Sequence, residues 1–175
     1  MHILWFPQRM LGEGTRVQTK AAAAADADLL LEGVILATEG ACPSCQENAP
    51  VSRANNGDTI LVAAGIYKEG NLIISKQLTL IGDKYPIIDG QNKFEVFSIK
   101  ANKVVIDGFK IYHSGTSNLD DYAGIKVYDS REVTIQNNIL DDTYFGIYLQ
   151  YAKRCVIKNN QLKANNKEEQ QSGNG

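Results

Sequence analysis

The sequence predicts an all-β protein, a parallel β-helix of coils about 22 residues long, and three observations carry that prediction. Val133-Thr-Ile-Gln-Asn-Asn-Ile-Leu140 recurs as Cys155-Val-Ile-Lys-Asn-Asn-Gln-Leu162, 22 residues later. Asp120-Asp-Tyr-Ala-Gly-Ile-Lys-Val127 returns as Asp142-Thr-Tyr-Phe-Gly-Ile-Tyr-Leu149, again 22 residues on. A fixed period in this range marks a solenoid. Each period also carries short alternating apolar pairs, Ile125/Val127, Val133/Ile135 and Ile147/Leu149, which is strand spacing, and no helix-length apolar stripe interrupts them. Strands of successive coils then pair in parallel, and inward Val, Ile and Leu fill a dry bore.

Residues 1–41 read as a poorly ordered or helical arm, with a helix expected from Ala21 to Leu31. An export signal needs a basic start, an apolar stretch and a small-residue cleavage site. Here Asp26 and Asp28 precede the apolar run Leu29–Leu36, and Glu32 and Gly33 interrupt it. Residues 42–56 form a linker and N-terminal cap. A short helix between Gln46 and Asn56 would cover the open first coil, whose bare strand edge otherwise invites pairing.

Residues 57–175 make the β-helix. Gly57-Asp58 turns into Thr59–Ala63, the first strand, and Asn71–Ile74, Leu78–Gly82, Pro86–Gly90, Phe94–Ile99 and Val104–Gly108 follow. Leu78–Gly82 superposes on Val104–Gly108 with a shift of 26, so the early coils are looser. Gly82, Gly90 and Gly108 close strands where the chain is expected to turn sharply. Asn137-Asn138 and Asn159-Asn160 are expected to form amide ladders at one turn, which makes them structural.

Net charge is −2, with 18 basic and 20 acidic residues, so the phosphate-binding stripe of a nucleic-acid protein is not expected. No apolar run reaches the ~18 residues of a membrane span. Three cysteines are too few for a disulfide scaffold. Cys42-Pro-Ser-Cys45 is open to three readings: a structural pair, a soft-metal clamp or a redox pair. Structural zinc would need two further ligands.

The informative places are those where the repeat fails. Val104 to Val133 and Gly146 to Gly175 each span 29 residues, seven more than the repeat. One insertion falls within Ser114–Asp121 and the other within Asn165–Gly173, so two projecting loops would bracket a tight coil and form a groove. Its floor would be Asp141, Asp142, Thr143 and Tyr144. Counting from Val104 stacks His113 on Asp142, and counting back from Gly124 stacks Asp120 there. His113, Asp120, Asp121, Asp141 and Asp142 are thus expected at one end of the groove, with Tyr122 stacked on Tyr144. Neighbouring carboxylates repel unless a cation, a proton or a donor separates them. A metal site, an acid–base pair and a sugar platform of tyrosines and carboxylates all satisfy that demand. Solvated turn aspartates bonded to local backbone satisfy it too.

Gly57-Asp-Thr-Ile-Leu-Val62 and Gly65-Ile-Tyr through Leu78-Thr-Leu-Ile-Gly82 resemble the opening of many β-helix proteins that act on carbohydrates. Pro86–Gly90, Ile111-Tyr-His-Ser-Gly115, Asp121-Tyr-Ala-Gly-Ile125, Phe145-Gly-Ile-Tyr148 and Glu168–Gly175 narrow the resemblance to the NosD family, over roughly Cys42 to Gly175. That resemblance implies a right-handed helix, a periplasmic location and a part in assembling the copper-sulfide centre of nitrous oxide reductase. It also implies an ABC-type transporter as a working partner. Members are exported and longer, so this chain is expected to be a fragment that ends in mid-coil. Copper favours His, Met and Cys, which makes Cys42 and Cys45 the expected soft-metal pair.

Two classes of function follow. The first is a non-catalytic maturation factor that presents a groove or coil face to a partner or a metal–sulfur cargo. The second is a polysaccharide lyase, hydrolase or epimerase, or a carbohydrate-binding module using Tyr122, Tyr144 and Tyr148. One scaffold hosts many chemistries, so the fold alone does not choose between them.

Overall fold

The computed structural model describes residues 34–37, 49–116 and 120–165. Among the described residues, fifteen short strands and one helix succeed one another. The first are β1 (Val34–Ala37), α1 (Ala49–Arg53), β2 (Thr59–Val62), β3 (Ile66–Tyr67), β4 (Leu72–Ile74) and β5 (Thr79–Gly82). Next come β6 (Ile87–Asp89), β7 (Phe97–Ile99), β8 (Val105–Asp107), β9 (Lys110–Tyr112) and β10 (Ala123–Tyr128). The last are β11 (Thr134–Gln136), β12 (Ile139–Thr143), β13 (Phe145–Gln150), β14 (Val156–Lys158) and β15 (Gln161–Ala164).

These strands assemble into three parallel sheets around one axis. The first is ordered β1-β2-β5-β8-β11-β14, the second β3-β6-β9-β12-β15 and the third β4-β7-β10-β13. The registers carry the sequence repeat: Ile135 lies level with Ile157, Leu140 with Leu162 and Ile125 with Ile147. Leu80 lies level with Ile106, the shift of 26 read from the early coils. The chain is a right-handed parallel β-helix.

Alternation decides which side chains fill the bore. Ile60, Leu80, Ile106 and Ile135 stack along the first sheet, each no more than 3% exposed. Ile88, Ile111 and Leu140 do so along the second, and Phe97, Ile125 and Val127 along the third. Phe97 also meets Phe109 edge-on at 5.7 Å. Ile157 belongs to the same stack but is 44% exposed, because it sits on the last coil that the described residues contain.

The expected arm and cap take a more definite form in part. Val34–Ala37, placed within the arm by the sequence, pairs in parallel with β2 and supplies the first coil's edge with backbone partners. The helix expected at Ala21–Leu31 lies outside the described residues. The capping helix is present as α1: Val51 packs against the core and Ala54 is 1% exposed. Lys76 closes it by donating to the carbonyls of Ser52 and Ala54, both at 2.7 Å. A cation satisfying the last carbonyls of a helix is favoured by charge and hydrogen bonding alike.

The glycines need correction. Only Gly108 of the expected three has a positive φ, +78°. Gly82 and Gly90 are required by space instead: a Cβ on Gly82 would lie 2.4 Å from the Gly108 carbonyl oxygen, and one on Gly90 would lie 2.7 Å from that of His113. Turning is done largely by residues such as Lys103, Asn137 and Asn159, held at φ near +55°. The asparagine ladders form as expected. Asn138 Nδ2 donates to Asn160 Oδ1 at 3.0 Å, and Asn159 Nδ2 to Asn137 Oδ1 at 3.4 Å.

Candidate functional site

The corner joining the second sheet to the third changes most from coil to coil. It joins β6 to β7, β9 to β10 and β12 to β13. The middle of these is the expected insertion, of which residues 114–116 and 120–121 are described. The second insertion, after Asn165, lies outside the described residues, so the groove's other wall does too. Two polar clusters occupy opposite flanks of this corner.

On the flank of the second sheet, three coils each contribute one titratable side chain. Asp89 ends β6, His113 follows β9, and Asp142 lies in β12. Asp89 Oδ1 is 2.9 Å from His113 Nδ1, and His113 Nε2 is 3.8 Å from Asp142 Oδ2. The imidazole therefore stands between two carboxylates, one coil below and one above. His113 and Asp142 adopt φ of 50° and 52°, which turns both side chains outward at the corner. Burial pushes the Asp89 carboxyl up, but the Gln91 backbone N–H, the His113 hydrogen bond and the charges of His113 and Lys68 outweigh it. The net result holds it below 3.8. The stacking of His113 on Asp142 is as the sequence indicates; Asp89 is the member that reading missed. Its signal was present, since Ile-Asp-Gly ends β6 just as it ends β8.

Other expected residues face elsewhere. Asp141 turns to Lys163, 3.2 Å away. Thr143 is not on the groove floor: its side chain points inward and is fully buried, with a hydroxyl that finds no partner. Tyr144 is held by its backbone N–H, which donates to Ser114 Oγ at 2.8 Å, and its ring packs edge-on to Phe145 at 4.9 Å. Tyr122 accepts the Phe145 N–H through its carbonyl, so it lies beside Tyr144 along the strand as the spacing indicates. Asp121 serves the opposite flank instead, where its carboxylate acts on Tyr148, and Asp120 adds a smaller charge effect on Tyr128.

That second cluster lies on the outer face of the third sheet. Ser98, Lys126 and Tyr148 share one rung position on β7, β10 and β13. Glu95, just before β7, is 4% exposed and hydrogen-bonds the Ser98 hydroxyl. Tyr128 Oη reaches both of its oxygens, at 3.0 and 3.1 Å. Lys126 Nζ lies 4.0 Å from Glu95 Oε2 and donates to the Asp121 carbonyl at 3.2 Å. It also stands over the rings of Tyr128 at 4.8 Å and Tyr148 at 5.0 Å. An ammonium between two π faces is attracted to both. Desolvation raises the Glu95 carboxyl above 4.5, and hydrogen bonds from Ser98 and Tyr128 together with Lys126 only partly offset it. Burial, then the Glu95 charge, push the Tyr128 phenol up to about 12. Sequence reading passed over Glu95, although a carboxylate inside the apolar run Phe94-Glu-Val-Phe-Ser-Ile99 is the pattern of a paired, buried charge.

Chemically, the first flank offers an imidazole hydrogen-bonded to one carboxylate and 3.8 Å from a second, and the second flank a buried carboxyl beside an ammonium. Among the described residues no three His, Cys, Asp or Glu side chains converge as metal ligands. In the first cluster the two imidazole nitrogens face opposite ways, which explains this. Cys42 and Cys45, the expected soft-metal pair, lie outside the described residues. No helix among the described residues is long and apolar enough to cross a membrane.

A family model described as a right handed beta helix region matches residues 53–175. No curated protein and no solved structure matches the chain.

Proposed function

The chain belongs to the right-handed β-helix family, and from that premise we propose that it is a non-catalytic accessory factor of the NosD type. In this reading it works in the periplasm beside an ABC-type transporter during assembly of the copper-sulfide centre of nitrous oxide reductase. Copper, or copper with sulfur, is then cargo rather than a resident cofactor.

One observation carries the reading. Four of the stretches on which the resemblance rests, Pro86–Gly90, Ile111–Gly115, Asp121–Ile125 and Phe145–Tyr148, are far apart in the chain yet converge on the one variable corner, while the fifth, Glu168–Gly175, lies outside the described residues. The corner where a solenoid varies most is where a docking face is expected, because bore residues repeat in any β-helix. The side chains there are also largely committed to one another: His113 bridges two carboxylates, and Glu95 is enclosed by Ser98, Tyr128 and Lys126. Such a surface suits rigid recognition.

The test is removal of the gene from a denitrifying cell, followed by purification of its nitrous oxide reductase. The expected product is enzyme lacking the optical signature of the copper-sulfide centre, restored by the intact gene. Fully loaded enzyme from the deleted strain rejects the reading.

A second reading is favoured by Glu95. A buried carboxyl of raised proton affinity beside Lys126 and two tyrosines is the kind of group that serves as a general acid. It would make the third sheet's outer face a carbohydrate-acting site. Release of unsaturated or reducing ends from uronate or neutral glycans, lost in Glu95→Gln, would favour it over the first.

A further inference from the structure

His113 meets its two carboxylates unequally. Nδ1 is 2.9 Å from Asp89 Oδ1, a hydrogen bond, whereas Nε2 is 3.8 Å from Asp142 Oδ2, beyond hydrogen-bond reach. An ionised Asp89 only accepts, so Nδ1 carries the donated proton. The neutral ring then presents its lone pair at Nε2, because the bond made by one nitrogen sets the state of the other. That lone pair faces a carboxylate oxygen. Two such acceptors repel unless something positive lies between them or a donor bridges them.

Each candidate for that place sets its own separation. A shared proton draws nitrogen and oxygen to about 2.7–3.2 Å. A bridging water, about 2.8 Å from each, spreads them to about 4.4 Å. One metal ion, with ligands at about 2.0–2.1 Å, holds them about 3.3–3.6 Å apart at tetrahedral to trigonal angles. The observed 3.8 Å lies nearest the last. The surroundings hold both groups in place. His113 and Asp142 make the same corner turn on successive coils, at φ 50° and 52°, so their side chains leave the solenoid side by side. Tyr112 packs against the imidazole with ring centroids 5.5 Å apart, and with Asp89 it fixes the plane of the ring. The neighbouring Asp141 is engaged by Lys163 at 3.2 Å, which leaves Asp142 as the ligand on that side.

We propose that His113 Nε2 and Asp142 Oδ2 form a two-ligand site for a divalent transition-metal ion of the zinc or copper kind, with Asp89 as the positioning carboxylate. Imidazole nitrogen with one carboxylate suits these ions, whereas magnesium and calcium favour oxygen ligands alone. A ligating imidazole that donates its other N–H to a carboxylate is held in the right tautomer and made a stronger ligand. Two protein ligands leave the remaining positions to water or to donors on another molecule. The ion is therefore held in exchangeable form, in keeping with the lack of a third converging ligand among the described residues. The site stands apart from the maturation role: it is tested on the purified chain, whereas that role is tested by copper loading of the reductase in cells.

The test uses the full chain carrying Cys42→Ser and Cys45→Ser, so that those thiols do not compete. Zinc is added and the ring nitrogens of His113 are followed by NMR. The expected result is a saturable shift of Nε2, which magnesium at equal concentration does not produce. Asp142→Asn and Asp89→Asn should each weaken zinc binding about tenfold or more. Asp141→Asn makes the same charge change one residue away and should alter the affinity less than twofold. The resonance of the unsubstituted column decides the outcome even where a variant fails to fold. A His113 ring unmoved by zinc overturns the proposal. So does an equal shift with magnesium, or an Asp141→Asn loss as large as that of Asp142→Asn, since either marks a diffuse acidic surface.

Discussion

The hydroxyl of Tyr128 lies 3.0 and 3.1 Å from the two carboxylate oxygens of Glu95, tying the entry to β7 to the end of β10 one coil away. Removing that hydroxyl leaves a buried charge short of a donor. Tyr128→Phe keeps the ring and should cost about 1–3 kcal/mol, read as a lower denaturant midpoint at unchanged m. An unchanged midpoint would mean that the bond contributes nothing net.

The same carboxylate sets a pH dependence with a definite sign. Burial raises the folded pKa of Glu95 above 4.5, so folding binds its proton more tightly. Its contribution to stability is therefore full below 4.5 and is lost as pH rises through the raised folded value. Glu95→Gln should flatten the stability profile above pH 4.5, and the Tyr128 phenol should then ionise below about 12 in an ultraviolet titration. Retention of the wild-type slope in Glu95→Gln would assign it to another group.

Asp89 gives the opposite sign. Its folded pKa lies below 3.8, so its contribution is present above 3.8 and is lost as pH falls through the depressed value. His113→Gln removes the charge that helps hold it there. In that variant the Asp89 carboxyl, followed by NMR, should titrate closer to 3.8, while overall stability falls by no more than about 1 kcal/mol because the pair is partly solvated. A larger loss would mark the Asp89–His113–Asp142 column as a structural staple.

Packing supplies the largest expected effects. Ile135 is fully buried between Ile106 and Ile157 on neighbouring rungs, and Ile135→Ala should cost about 2–5 kcal/mol. Gly82→Ala drives a methyl into the Gly108 carbonyl and the Pro86 ring, and both are too constrained to yield. Calorimetry should show it to be as damaging as the core truncation. Tolerance of Gly82→Ala would show that the two coils can separate there.

Much of this architecture is readable along the chain. The 22-residue repeat determines registers such as Ile135 with Ile157, because parallel strands in a solenoid pair with their own equivalents. The count of 29 from His113 to Asp142 likewise brings those two together. Counting fails where a loop can fold to either side. Asp121 satisfies the arithmetic for the His113 flank, yet its carboxylate acts on Tyr148. Thr143 falls in line with Asp142 but turns inward, because a register shift between Asp141 and Thr143 reverses its facing.

By itself, the sequence determined the solenoid, its apolar bore and its amide ladders, since each follows from a local period repeated until neighbours must pair. Only the tertiary structure decided that Asp89 completes the histidine column and that Glu95 is enclosed by Lys126 and Tyr128. Those contacts depend on how many residues each corner holds and which way its backbone turns. Side-chain direction at a corner is set by the φ of one or two residues, and the apolar period does not encode it.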